Sequence, residues 1–252
     1  AKPNQRAKPN QPASTRQMGS LCSAEGQAAG TAEGQAAGMP SGAPHMVYLP
    51  LAGRGELIRL IAAAGGLELT ESTELAEGED KAMYMSPSGV PLLRHGELKM
   101  SQSGAIEAYI ARIAPKFNGL TAQQRAIDLQ YAGIKEEVLA NCAKAIFTTR
   151  KTDAEKAKAD ITELFDKWFA LMEEQAPKDG FIQGLGFPTV ADLAVLNITV
   201  GYMPFGAAKK HAGYDFDKFP KTKALCDRTA AAEGVAKYLA SAPYTTANPF
   251  NM

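Results

Sequence analysis

Three cysteines in 252 residues, Cys22, Cys142 and Cys226, are too few and too widely spaced for a disulfide framework or a zinc site. An odd, scattered set of thiols fits a reducing compartment. Net charge is missing too. The 27 basic and 27 acidic residues cancel, which removes the electrostatic case for nucleic acid or an anionic membrane as the main partner. No apolar run approaches the roughly 20 residues that cross a bilayer. The three histidines, His45, His95 and His211, lack ligand spacing and read as structural or surface groups, so no metal is expected. What is present, 45% hydrophobic and 21% charged residues, is ordinary for a globular chain with a sizeable core.

Residues 1–43 are poor in large apolar side chains and rich in repetition. Ala-Lys-Pro-Asn-Gln occurs at 1–5 and again at 7–11, and Ala-Glu-Gly-Gln-Ala-Ala-Gly at 24–30 and again at 32–38. Such a segment cannot bury enough surface to offset its ordering entropy, so a low-complexity, disordered tail is expected. Lys2, Arg6, Lys8 and Arg16 precede the first acid, Glu25. Organelle transit peptides share that composition, and so do extensions that carry no address. The expected compartment is the cytoplasm, with a plastid or mitochondrion as the alternative. The tail is also a candidate segment for a protein partner. The chain starts on Ala1 and not Met, which fits processing, a fragment, or translation taken too far upstream.

From 44 to 117 the pattern alternates. His45–Pro50 reads as a strand, and Glu56–Ala64 as a helix with Leu57, Leu60, Ile61 and Ala64 on one face, stopped by Gly65-Gly66. A second strand is expected near Leu67–Leu75 and a short helix around Asp80–Met85. Val90–Arg94 and Leu98–Met100 flank a His95-Gly96-Glu97 turn and read as a hairpin. A helix carrying Ile106, Tyr109, Ile110 and Ile113 follows, ending before Pro115. The order βαβ, α, ββα is that of a thioredoxin-like α/β sandwich.

Residues 120–245 read as all-helical. Thr121-Ala-Gln-Gln124 fits a capping box, and Ile127, Tyr131, Ile134, Val138 and Cys142 recur along a long helix. The next helix has Ile161, Leu164, Trp168 and Leu171 on one stripe and Phe165, Phe169 and Met172 beside it, a pattern that implies burial around much of its circumference. Further helices are expected to start at Thr189 and Asp217. The fold class is therefore α/β followed by all-α.

Four features could carry chemistry, and each has a plainer reading. Tyr48 ends the first strand just before Leu-Ala-Gly-Arg-Gly; a strand-end tyrosine is more often packing. Gly89-Val90-Pro91 opens a strand, so Pro91 is either an edge proline or part of a cis turn. Gln102-Ser103 caps a helix, which is what most such serines do, and the same amides make a ready carboxylate site. Thr189-Val-Ala-Asp192 is another capping box, assigned to folding.

Order and spacing say more than any one of these. Val47-Tyr48-Leu-Pro-Leu-Ala-Gly53-Arg54-Gly55-Glu56-Leu-Ile-Arg59-Leu60 resembles the opening of cytosolic glutathione S-transferases, especially the sigma-like class. Gly89-Val90-Pro91-Leu-Leu, Gln102-Ser103-Gly-Ala-Ile106, Tyr109-Ile-Ala111 and Phe181-Ile-Gln-Gly184…Thr189-Val-Ala-Asp192 follow in the family's order. The resemblance runs from about Met46 to Leu239. It implies glutathione as co-substrate, no metal, and a homodimer. It makes Tyr48 the catalytic hydroxyl and places Arg54 near glutathione. Gly89, Val90 and Pro91 fall on the segment meeting the cysteinyl unit, and Gln102 and Ser103 on the γ-glutamyl carboxylate. Glu136, or equally Glu137, falls where an acid reaches the glutathione amino group across the dimer.

The sequence also departs from the pattern. The loop Gly78-Glu-Asp-Lys81-Ala-Met-Tyr84 lacks the family's tryptophan and leaves Lys81 as the cation for the glycyl end, and Ser88-Gly89 stands where a longer polar side chain is commoner. Two weakened contacts would raise the glutathione Kd by about ten- to a hundredfold. The function implied is conjugation of the glutathione thiolate to small apolar electrophiles, in a pocket for which Tyr131, Val138 and Phe147 are candidate walls. Isomerisation or peroxide reduction would use the same thiolate. The alternative of another class is a non-catalytic transferase-fold subunit of a larger complex.

Overall fold

The computed structural model describes residues 40–242, save Ser88, together with Tyr244. The expected tail, with Cys22 and the repeats, lies outside the described residues apart from positions 40–43.

A four-stranded sheet in the order β2-β1-β3-β4 opens the fold. β1 (His45–Val47) pairs in parallel with β2 (Thr70–Ser72) and antiparallel with β3 (Leu92–His95), which pairs antiparallel with β4 (Leu98–Ser101). β1 is shorter than expected. The Tyr48 N–H still donates to the Ser72 carbonyl at 3.0 Å, but Pro50 has no donor to continue the ladder. α1 (Glu56–Gly65) crosses between β1 and β2 and ends as expected, with Gly66 in the left-handed region at φ +70°. The expected short helix is present as a single 3-10 turn at Lys81–Tyr84, capped by Asp80 and ended at Met85. α2 (Ser103–Ile113) follows β4. The histidines serve as ties: His95 is buried between the Tyr109 hydroxyl and the Gly42 carbonyl, and His45 meets the Thr70 and Ser72 hydroxyls.

The rest of the described fold is helical. α3 (Ala122–Lys144) starts at the expected capping box, Thr121 with Gln124, and passes through a wide turn at Ala145–Thr149 into α4 (Arg150–Thr152). α5 (Ala154–Gln175) is capped by Asp153. α6 (Val190–Val200) opens on the Thr189/Asp192 capping box, and a wide turn at Tyr202–Gly206 leads to α7 (Ala207–Ala212). α8 (Pro220–Ala231) and α9 (Glu233–Ser241) complete the described helices. α8 starts at Pro220 and not at Asp217, since a proline in the first turn has no N–H to leave unpaired.

Two expected helix faces are corrected. On α3 the buried set is Asp128, Ala132, Lys135, Val138, Leu139 and Cys142, while Ile127 is exposed and Tyr131 and Ile134 are half-buried. Buried charged groups with partners on other helices set that face, and an apolar pattern cannot report them. On α5 the buried stripe is Ala157, Ile161, Phe165, Phe169 and Met172; Leu171 is exposed, so the helix is buried on one side only. Phe165 and Phe169 face inward because Tyr214, Phe216 and Phe219 pack on them, with ring centroids 4.3–5.6 Å apart.

α6 is buried from Val190 through Ile198, as a central helix must be. One core runs from Met46, Leu57 and Ile61 through Ile110 to Val138, Leu196 and Phe165, so the mixed and helical parts share apolar contacts. α9 returns to α1. A Cβ added to Gly234 would lie 2.1 Å from the Ala63 carbonyl oxygen, and the Tyr238 hydroxyl donates to the buried Glu56 carboxylate at 2.9 Å. Among the described residues no single helix is long and apolar enough to cross a membrane.

Candidate active site

The sheet register gathers the candidate residues at one end. Val47 faces Leu92 and Leu92 faces Ser101, so the next residues outward are Tyr48, Pro91 and Gln102. Strand pairing alone thus brings three distant motifs to one edge.

Tyr48 is 8% exposed and lies against a loop that only glycines permit. A Cβ on Gly55 would fall 2.6 Å from the ring, and one on Gly53, at φ +46°, would fall 2.3 Å from the hydroxyl oxygen. The Arg54 N–H between them donates to that oxygen at 2.8 Å. The oxygen is thereby an acceptor, and its own hydrogen is left to donate elsewhere. Burial pushes the phenol up, more than the Arg54 N–H and the nearby Arg59 guanidinium pull it down, so Tyr48 is neutral at physiological pH.

Beside Tyr48 is a cavity of about 200 Å³ walled by Leu51, Arg54, Leu139, Ala143, Phe147, Met203 and Pro204. Phe147 is there as expected. Val138 is wholly buried in the core and Tyr131 is not among the wall residues, which corrects two of the three expected walls. Leu139 and Met203 take their place. The turn carrying Met203 breaks helical geometry there, and only Gly201 and Pro204 hint at it in the sequence.

The Val90–Pro91 bond is cis. The turn before it is closed by Ser86, whose hydroxyl donates to the Gly89 carbonyl at 2.9 Å and accepts from the Gly89 N–H at 3.2 Å. Gln102 adopts φ +72°, a left-handed angle that a non-glycine residue holds at a cost of about 1–3 kcal/mol. Its side chain makes no capping bond, contrary to a plain cap, and the first amides of α2 around Ser103 have no side-chain cap. Unfilled amides at a helix start attract a carboxylate. Lys81 is exposed at the start of the turn at 81–84, whose Tyr84 is buried; Lys99 and Tyr84 hold Glu79 well below the usual carboxylate range, at about 2. Ser88 lies outside the described residues.

Of the two candidate acids on α3, the structure brings Glu136 to the site. Arg54 grips its Oε1 with two nitrogens, at 2.8 and 2.7 Å, while Glu137 faces outward. Behind Glu136, Lys135 Nζ lies 3.5 Å from its Oε2 and 2.7 Å from Glu107 Oε1. Lys135 and Glu107 are 0% and 2% exposed. Burial pushes the Glu107 carboxyl up, against the pull of Lys135. Sequence reasoning missed both, because a charged residue on a helix reads as solvent-facing. The described cysteines are no nucleophiles: burial pushes the Cys142 thiol up, and Cys226 to about 11.

Known proteins point the same way. Residues 136–242 match the family model described as glutathione S-transferase, C-terminal domain. A Dictyostelium discoideum protein named glutathione S-transferase alpha-2 is 26% identical over 207 residues, covering 81% of this chain and 98% of that one. A Caenorhabditis elegans protein named glutathione S-transferase 5 is 28% identical over 210 residues, covering 79% and 97%. A solved C. elegans glutathione S-transferase superposes with a TM-score of 0.63 at 24% identity, covering 81% of this chain and all of the other. The chain thus has the thioredoxin-like sheet and helical second half of the glutathione S-transferase fold, its residues 136–242 match that family's C-terminal domain, and relatives of that name match it over nearly their whole length.

Proposed function

We propose that this chain is a sigma-like glutathione transferase that joins the sulfur of glutathione to small apolar electrophiles. The observation that carries the reading is the Tyr48 hydroxyl, fixed by the Arg54 N–H at the edge of an apolar cavity. In this reading the γ-glutamyl carboxylate takes the open amides and hydroxyl at Gln102-Ser103. The Val90 main chain before Pro91 pairs with the cysteinyl unit, and Lys81 supplies charge for the glycyl end. The sulfur then lies by Tyr48. Its thiol, ordinarily near 8.5, gives its proton to solvent, and the phenol hydrogen bond favours the thiolate. The thiolate pair attacks the electrophilic carbon. An aryl halide expels its halide ion, and an unsaturated carbonyl takes a proton from water instead. The cavity is smaller than the ~300 Å³ usual for drug-sized ligands, which favours small electrophiles.

Purified protein is expected to bind immobilised glutathione and to turn over a chlorodinitrobenzene-type electrophile. Capture in a large complex with no turnover would favour a structural subunit instead. A homodimer belongs to the reading, with Glu136 also meeting the amino group of glutathione in the neighbouring subunit. Dilution to monomer should then weaken glutathione binding. Undiminished affinity in the monomer would remove Glu136 from that role.

A further inference from the structure

We infer that the buried Lys135–Glu107 pair is a positioning device: it fixes Glu136, Glu136 tethers Arg54, and the tether holds the Arg54 N–H against the Tyr48 hydroxyl. The inference rests on the reading of Tyr48 as the catalytic donor, and extends it to residues with no place in that reading.

Arg54 sits between Gly53 and Gly55, in a single turn with little stiffness of its own. Its guanidinium is 43% exposed, and its side-chain bonds among the described residues all go to Glu136. Glu136 is itself 37% exposed, and surface ion pairs of that kind wander unless something fixes them. Here the second carboxylate oxygen faces Lys135, whose ammonium is sealed between α2 and α3 and anchored on Glu107. The groups form a continuous chain, Arg54 guanidinium, Glu136 carboxylate, Lys135 ammonium and Glu107 carboxyl, from the loop at the catalytic hydroxyl into the core. A buried lysine is costly, and an apolar residue would pack α2 on α3 at least as well. The outward contact to Glu136 is what an apolar residue could not supply.

The decisive variant is Lys135→Met with Glu107→Leu, which removes the pair without stranding a buried charge, so the fold is retained or strengthened. Lys135→Arg beside intact Glu107 is the conservative control. Two readouts are compared with wild type. One is the Tyr48 titration, read as the phenolate absorbance that Tyr48→Phe lacks. The other is the pH dependence of kcat and of each KM. In the double variant the Tyr48 titration should rise by about one pH unit, because the phenolate loses the Arg54 N–H while Arg59 stays at 5.6 Å from the ring. The kcat at neutral pH should fall about tenfold with the electrophile KM unchanged, and Lys135→Arg should recover most of it. A double variant that melts no lower than wild type and keeps both its Tyr48 titration and its pH–rate profile would show the pair to be packing alone, and overturn the inference. A shifted Tyr48 titration in a protein whose wild type conjugates nothing would support the tether and overturn the transferase reading instead.

Discussion

Tyr48→Phe should lower turnover at neutral pH by about ten- to a hundredfold while leaving glutathione affinity nearly unchanged. The substitution keeps the ring against Gly53 and Gly55 and removes one hydroxyl. The thiolate then loses a hydrogen bond to a charged sulfur, worth about 1.5–3 kcal/mol, which raises the bound thiol by roughly one to two pH units. The Arg54 N–H loses its acceptor beside an open cavity, where water replaces it. Binding is spared because Val90, Gln102 and Ser103 hold the remainder of the tripeptide in the proposed pose. The comparison is a pH–rate profile of variant and wild type with a separate glutathione titration. The deficit should shrink as pH rises and the thiol ionises unaided. Equal rates at all pH values would make Tyr48 a packing residue.

Gly234→Ala should be among the most destabilising single-methyl changes in the described fold. The added carbon would stand 2.1 Å from a backbone oxygen of Ala63, which has no rotamer to move, so α9 must lift from α1. Overpacking of this kind costs about 1–3 kcal/mol. Tyr238 lies about one turn further along α9, and loss of its bond to Glu56 adds about 1.5–3 kcal/mol for a hydrogen bond to a charged group. At about 2–4 °C per kcal/mol for a chain of this size, Tm should fall by roughly 10 °C. Gly133→Ala on α3 is the control, with open space around the new carbon. Helix propensity alone should make it neutral or stabilising by up to ~1 kcal/mol. Similar melting temperatures for the two variants would contradict the close crossing.

What the sequence disclosed was mostly local. Thr121 with Gln124, Gly66 after α1, the Gly-Val-Pro turn and the Thr189 box are short-range devices whose cause lies within a few residues, and each is found where it was expected. Tyr48 was singled out by the resemblance of the whole Val47–Leu60 stretch, since a strand-end tyrosine alone reads as packing, and the reason for both glycines beside it is a contact that only the folded chain shows. Asp128, Lys135 and Glu107 were invisible for the opposite reason. Asp128 is buried because Thr189, Gln183 and the Ala191 N–H converge on it from the α6 start. Lys135 and Glu107 are buried because they meet each other across two helices. On α5, seven apolar residues in two stripes left the inward side undecided until the rings of Phe216 and Phe219 settled it.

Glu56 and Tyr238 stand 182 positions apart in the chain. A ribosome adding about 5–20 residues per second therefore makes α1 roughly 10 to 40 s before the phenol that closes over its buried carboxylate. During that interval the segment carrying Tyr48 and Arg54 is complete in sequence but not in structure, with water at Glu56 where Tyr238 will sit. The end that carries Tyr48 is the earlier part to be synthesised, and it waits on the later part to be sealed.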